Sequence, residues 1–137
     1  MMTCTRALHF CAGHRVLGHE GKCAQPHGHQ YKAEVTVRGA LDAIGRVIDF
    51  SCIKDCIGAW IDANWDHAFI VGMEDHELLD ALGRVDGSRV FTMPHNPTAE
   101  NIADFLLSVC MHELPSNVRA DHVRVWETPN CYADAYR

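Results

Sequence analysis

Between His27 and Arg38 the chain alternates without a break. Tyr31, Ala33, Val35 and Val37 fall on one parity, and Lys32, Glu34, Thr36 and Arg38 on the other. Successive side chains on a strand point to opposite faces, so this segment must be a half-buried strand with its apolar face on a core. His27 and His29 carry that same apolar parity. Two imidazoles on one face make half a metal site, since imidazole is the commonest protein ligand for a catalytic divalent ion. Gly28 between them leaves room for a ligand or a second backbone to come close.

A second strand supplies a third imidazole. From Thr3 to His14, the residues Leu8, Phe10, Ala12 and His14 share one parity, so the apolar face of this strand ends in a histidine. Strands that begin and end in histidines on the buried face converge on one ion, and strand-borne ligands are held rigidly. Cys23 lies four positions before His27 in the aperiodic loop Arg15–Gln25, beside glycine and lysine. His9, His19, His76, His95, His112 and His122 fall outside these registers and read as surface or packing residues.

The remaining chain predicts an α+β fold. Arg46–Phe50 reads as a short strand leading into a helix, with Asp49 or Ser51 to cap its free amides. Ile53, Ile57, Trp60 and Ile61 then give a helix with one apolar face, ending near Asn64. The pair Asp66-His67 sits within the apolar run Trp65–Ile70. A carboxylate beside a histidine sets its tautomer, although neighbours on a strand face opposite ways. A short helix follows around His76–Leu82, then a turn at Asp86-Gly87 and a strand at Arg89–Met93. After the break Pro94–Pro97, Thr98 is a fair N-cap and Glu100 suits the helix dipole. Ile102, Phe105, Leu106 and Val109 make a second amphipathic helix that stops before Pro115. The last strand carries Val123, Val125 and Glu127 on one parity. A carboxylate on an apolar face is costly unless paired, so Glu127 is either a frayed strand end in water or a captor of a donor-rich ligand. Four strands and two long helices predict an antiparallel sheet with both helices on one face, in a single domain spanning 1–137.

Composition narrows the partners. A net charge of −6 argues against nucleic acid, which needs clustered Lys and Arg. No apolar run approaches the ~18 residues of a membrane span, and no leader pattern opens the chain. Seven cysteines form no CxxC pair, and Cys52/Cys56 fit a helical spacing better than a zinc knuckle. They read as reduced thiols in a cytoplasmic protein, most of them small apolar fillers.

These residues resemble a known family along nearly the whole chain. Phe10-Cys-Ala-Gly-His14, Cys23-x3-His27-Gly-His29, Ile48-Asp-Phe50, Asp66-His67, Pro97-Thr-Ala-Glu-Asn101 and Trp126-Glu-Thr128 occur in the order and at the intervals of the 6-pyruvoyltetrahydropterin synthase and 6-carboxytetrahydropterin synthase superfamily, the tunnelling fold or T-fold. The resemblance implies zinc on His14, His27 and His29 with the fourth place open to substrate. It implies Cys23 as the acid–base residue, activated by Asp66 and His67 of a neighbouring subunit, which would answer the facing problem. It makes Glu127 the anchor for the pterin's 2-amino and N3–H donors, with Thr98 and Glu100 near that pocket. It further implies a barrel-forming oligomer, most often a hexamer of two stacked trimers.

The implied substrate is 7,8-dihydroneopterin triphosphate. Its two main fates are a pyruvoyl product, or cleavage to 6-carboxytetrahydropterin and acetaldehyde on the route to queuosine and other 7-deazapurines. The three residues Ala24, Gln25 and Pro26 between Cys23 and His27 resemble the carboxy branch, whose gap is typically shorter. A pyruvoyl synthase, a dihydroneopterin aldolase-like lyase and a non-catalytic pterin- or metal-binding module stay open as alternatives. Lys22, Arg15 and Lys54 are candidates to hold the triphosphate.

Overall fold

The alternating segments form one long hairpin. In the computed structural model, which describes residues 1–137, β1 (Met2–His14) pairs antiparallel with β2 (His27–Gly39) from Met2↔Gly39 to His14↔His27. This register sets Phe10 opposite Tyr31, with rings stacked at 5.0 Å, and Ala12 opposite His29. The core face of the hairpin therefore runs from aliphatic residues through an aromatic pair to three imidazoles. A short 3-10 turn, Lys22–Ala24, lies in the loop joining the two strands at their histidine ends.

The sheet is larger and more mixed than the predicted four antiparallel strands. Six strands lie in the order β4-β3-β1-β2-β5-β6. β3 (Ala68–Gly72) runs parallel to β1, and β4 (Val90–Met93) parallel to β3. β5 (Arg119–Thr128) is antiparallel to β2, and β6 (Cys131–Tyr136) is antiparallel to β5. β3 shows no alternation because four of its five residues are buried, as is usual beside parallel neighbours. β6 has only Cys131, Ala133 and Ala135 on its inner parity, and of these only Ala135 is buried, too little apolar signal to read. The expected strand at Arg46–Phe50 does not form. Asp42 instead accepts from the Ile44 and Arg46 amides at 3.0 and 2.9 Å, turning the chain before it can pair.

Both predicted long helices lie on one face. α1 (Phe50–Ile53) passes through a π-helical stretch, Lys54–Gly58, into α2 (Ala59–Asn64). The Asp49 carboxylate caps α1 by accepting from the Ser51 amide at 2.8 Å. α3 (His76–Gly83) links β3 to β4, and α4 (Ala99–Glu113) precedes β5. Ile53, Ile57 and Ile61 join Ile102, Leu106 and Cys110 over Tyr31, Val35, Val123 and Val125 in a core of 24 buried residues. α3 contributes none of them. The outer strands β4 and β6 are each bonded along one side only.

Candidate metal centre and active site

Where the core face reaches the end of the hairpin, His14, His27 and His29 each direct one ligand atom to a common point. These atoms lie within 4.8 Å of one another. His14 donates from Nδ1 to the Pro97 carbonyl at 2.7 Å, and His27 from Nδ1 to the Gln25 carbonyl at 2.6 Å. A carbonyl can only accept, so both rings are Nδ1–H tautomers with bare Nε2 lone pairs. Those two Nε2 atoms face each other at 3.2 Å, where two acceptors repel. The Nε2 of His29 is buried and has no hydrogen-bond partner at all. Facing lone pairs and an orphaned buried nitrogen fit a bound cation. Burial also holds the pKa of His14 and His29 below the ordinary histidine value, which keeps them neutral and ready to ligate. The three histidines can hold a metal ion.

Glu127 stands at the edge of this group. Its Oε1 is 3.5 Å from His29 Nε2, and its side chain is 23% exposed. The parity argument thus places it correctly on the core face, beside the imidazoles but outside the three-ligand set. Tyr31 packs under the rings of His14 and His29 at 5.9 and 5.5 Å, fully buried with its hydroxyl unpartnered. Burial raises its pKa, so the phenol stays protonated. His29 and Glu127 also border a hollow of about 580 Å³, with His9, Gln30, Lys32 and Trp126 on its other walls.

Cys23 is half-buried in the 3-10 turn, and its carbonyl accepts from the Val16 amide at 2.9 Å. Its sulfur makes no hydrogen bond to the histidines, Asp66 or His67 of the same chain. Asp66 and His67 do act as a pair, contrary to the expectation that neighbours face apart. His67 precedes β3 and adopts a left-handed backbone, φ 59°, which brings its Nδ1 to 3.1 Å from Asp66 Oδ2. The Asp66 Oδ1 accepts from the Cys11 amide at 2.9 Å, and that bond, more than His67, lowers its pKa. His67 is 77% exposed and shares a hollow of about 660 Å³ with Cys11, Gln30 and Phe69. These residues alternate with the core-facing ones, so the pair looks out from the opposite face of the sheet.

The Pro97–Asn101 motif is largely occupied within the chain. The Thr98 hydroxyl caps α4 by accepting from the Asn101 amide at 3.1 Å, while Glu100 is exposed in the first turn. The Pro97 carbonyl, which holds His14, was invisible in sequence because it is a backbone atom 83 residues away. Arg15 is not a free cation for triphosphate: it grips buried Asp75 through Nε and Nη2. Lys54 lines a separate hollow with Arg6 and His9, and Lys22 is exposed beside Cys23.

A curled α+β sheet with helices on one face and a tri-imidazole centre at its end defines a T-fold protein. The architecture matches that of solved structures. An uncharacterized protein from Wolinella succinogenes superposes with a TM-score of 0.85 at 25% identity, over 99% of this chain and 98% of that one. The 6-pyruvoyl tetrahydropterin synthase of Caenorhabditis elegans gives 0.71 at 24% identity, over 99% and 95%. The family model for 6-pyruvoyl tetrahydropterin synthase matches residues 3–137. The 6-carboxy-5,6,7,8-tetrahydropterin synthase of Rickettsia felis is 39% identical over 98% of this chain and 99% of its own. That of Haemophilus influenzae is 33% identical over 98% of each. The chain belongs to the 6-pyruvoyl tetrahydropterin synthase family, and it is an enzyme of the lyase class.

Proposed function

We propose that this chain is a zinc-dependent 6-carboxy-5,6,7,8-tetrahydropterin synthase. It converts 7,8-dihydroneopterin triphosphate and one water to 6-carboxytetrahydropterin, acetaldehyde and triphosphate, in the cytoplasm and toward queuosine or related 7-deazapurines. The observation that carries the reading is the convergence of three imidazoles on one point beside Glu127, with bare Nε2 atoms on His14 and His27 and an unpartnered one on His29. Two nitrogens on tetrahedral zinc at about 2.0–2.1 Å lie about 3.3 Å apart. The His14–His27 separation of 3.2 Å supports that ion. The spacing Cys23-x3-His27 and the names of the Rickettsia and Haemophilus relatives favour the carboxy product.

Held by His14, His27 and His29, zinc is a Lewis acid toward oxygens of the substrate side chain. The chain supplies the rest. Glu127 accepts hydrogen bonds from the pterin's 2-amino and N3–H groups and so orients the side chain toward the imidazoles. Cys23, on the loop that leaves the metal end of the hairpin, takes the proton that must leave the side chain. Asp66 fixes the tautomer of His67, and this pair reaches the Cys23 of a neighbouring copy. Its place on the outer face of the sheet supports that division of labour. Glu100, exposed at the start of α4, is free to reach a pterin bound between copies, while Thr98 holds the helix end that carries it.

The unpaired outer sides of β4 and β6 support a closed homo-oligomer, a hexamer of two trimers with sites between chains. The family model and the Caenorhabditis structure keep the pyruvoyl product as a second reading. Anaerobic incubation with 7,8-dihydroneopterin triphosphate and mass identification of the products decides it. Acetaldehyde with the 6-carboxy pterin is expected. A pyruvoyl pterin without acetaldehyde would move the chain to the sister activity, and metal binding without turnover would leave a binding module.

A further inference from the structure

The backbone carbonyl that orients His14 is itself held by a ring of hydrogen bonds centred on Asn96. The Asn96 Nδ2 donates to the Leu17 carbonyl at 2.9 Å, and the Leu17 amide donates to Asn96 Oδ1 at 3.2 Å. The Asn96 backbone carbonyl accepts from the Thr98 amide and from Asn101 Nδ2, both at 2.9 Å. Pro97 lies between Asn96 and Thr98, and its carbonyl accepts from His14 Nδ1 at 2.7 Å in a buried position. Leu17 is three residues beyond His14. The circuit therefore closes: His14 ring, Pro97, Asn96, Leu17, and back along the chain to His14.

The residue type suits this task. Leu17, in the turn after β1, offers one backbone donor and one backbone acceptor, and a primary amide returns the complementary pair in one plane. Aspartate lacks the donor, and alanine lacks both. Pro97 has a fixed φ and no amide hydrogen, so its carbonyl is placed by the residues on either side of it.

We infer that Asn96 is a positioning residue for the metal centre, holding the Pro97 carbonyl on His14 Nδ1 and so aiming His14 Nε2 at the ion. The inference rests on the metal reading of the three histidines, and it gives the Asn96–Asn101 segment a task besides lying near the pterin. Outer partners of this kind orient the ligand and fix its tautomer, and their loss typically lowers metal affinity about tenfold to a hundredfold. The bonds to Leu17 lie at the exposed rim, so their direct contribution to folding is small.

The test is zinc affinity of the full chain by competition with a chelator, alongside the ring proton and nitrogen resonances of His14. Wild type is expected to bind one zinc per chain and His27→Ala none. Should wild type bind no zinc, the metal reading fails, and this inference falls with it for that separate reason. Asn96→Ala should bind zinc about tenfold to a hundredfold more weakly and lose the slowly exchanging Nδ1–H signal. Asn96→Asp, which keeps the acceptor for the Leu17 amide, should recover part of the loss. Asn101→Ala leaves the Thr98 cap in place and should shift affinity in the same direction by less, and it serves if Asn96→Ala fails to fold. A folded variant with zinc affinity within about twofold of wild type and an unchanged His14 signal would overturn the assignment. A lowered melting temperature alone does not support it, because a purely structural loop contact would produce that too.

Discussion

Arg15 and Asp75 form a two-pronged ion pair across 60 residues, Nε to Oδ2 at 2.6 Å and Nη2 to Oδ1 at 2.5 Å. Asp75 is 3% exposed and also caps α3 by accepting from the Leu78 amide at 3.2 Å. Replacing it with asparagine keeps a cap but leaves a mostly covered guanidinium without its counter-charge. Asp75→Asn should cost about 2–3 kcal/mol, below the full cost for a deeply buried pair because Arg15 keeps some contact with water. Urea denaturation measures it. The double change Arg15→Met with Asp75→Leu should recover most of that loss, short of the ~1 kcal/mol due to the missing cap. A double variant no better than the single one would mean that the pair itself, and not the stranded charge, carries the stability.

Gly28 is expected to be sensitive because a second backbone does come close to it, as its place between two histidines suggested. A Cβ there would come within 3.2 Å of the Ala12 carbonyl oxygen, a backbone atom of the strand that holds His14. Gly28→Ala should therefore push β1 from β2 at the metal end, costing about 1 kcal/mol net of alanine's lower chain entropy. Zinc affinity should fall more than stability does. At Gly13 the obstacle is the tip of the Phe69 ring at 2.8 Å, a side chain that can swing. Gly13→Ala should leave zinc affinity nearly intact. Chelator competition and thermal melts on both variants check the contrast.

Legibility in the sequence followed burial. The hairpin, the triad and Glu127 were readable because one sheet face is wet and the other dry, so parity alone assigns each side chain. β3 was opaque because both its faces are covered, and β6 because its inner face is mostly alanine. The Asp66–His67 contact defied the parity rule since the left-handed His67 is not in a strand. Arg15 looked like a spare cation because its partner, Asp75, lies far along the chain. The Pro97 carbonyl carries no residue-type signal at all.

Stability on the outer sheet face should depend on pH through Asp134. Hydrogen bonds from Arg124, at 2.8 and 2.9 Å, and then one with His122 hold its pKa down to about 2. The folded value is below the unfolded one, near 3.9, so the unfolded chain binds the proton first as pH falls. The stabilisation is fully present above about pH 4–5 and is lost as pH drops toward 2. Asp134→Asn should accordingly be less stable than wild type at neutral pH, by about 1–2 kcal/mol after solvent screening. The gap should close progressively in denaturation curves taken from pH 5 to pH 2. A gap that stays constant over that range would show that charge is not the source.

Cys23 and Glu127 should fail in different ways. In the proposed mechanism Cys23 acts on a proton in flight, so Cys23→Ala should cut kcat by at least ~10²-fold, as for loss of a general base. Its sulfur makes no hydrogen bond to the three imidazoles and lies outside the ligand set, so zinc content and pterin affinity should hardly change. Glu127 lies 3.5 Å from His29 Nε2 but outside the ligand set, so Glu127→Gln should also keep its zinc. The amide, however, would turn a donor toward ring donors, weakening pterin binding by roughly 2–4 kcal/mol. Its signature is mainly a raised KM, with some loss of kcat if the ring is misplaced. Calorimetry with a non-reactive pterin, on zinc-loaded samples of both variants, separates the two roles. If Cys23→Ala abolished binding while Glu127→Gln kept it, the two assignments would be reversed. If Glu127→Gln instead lost its zinc, the carboxylate would belong to the metal centre and not to the pterin.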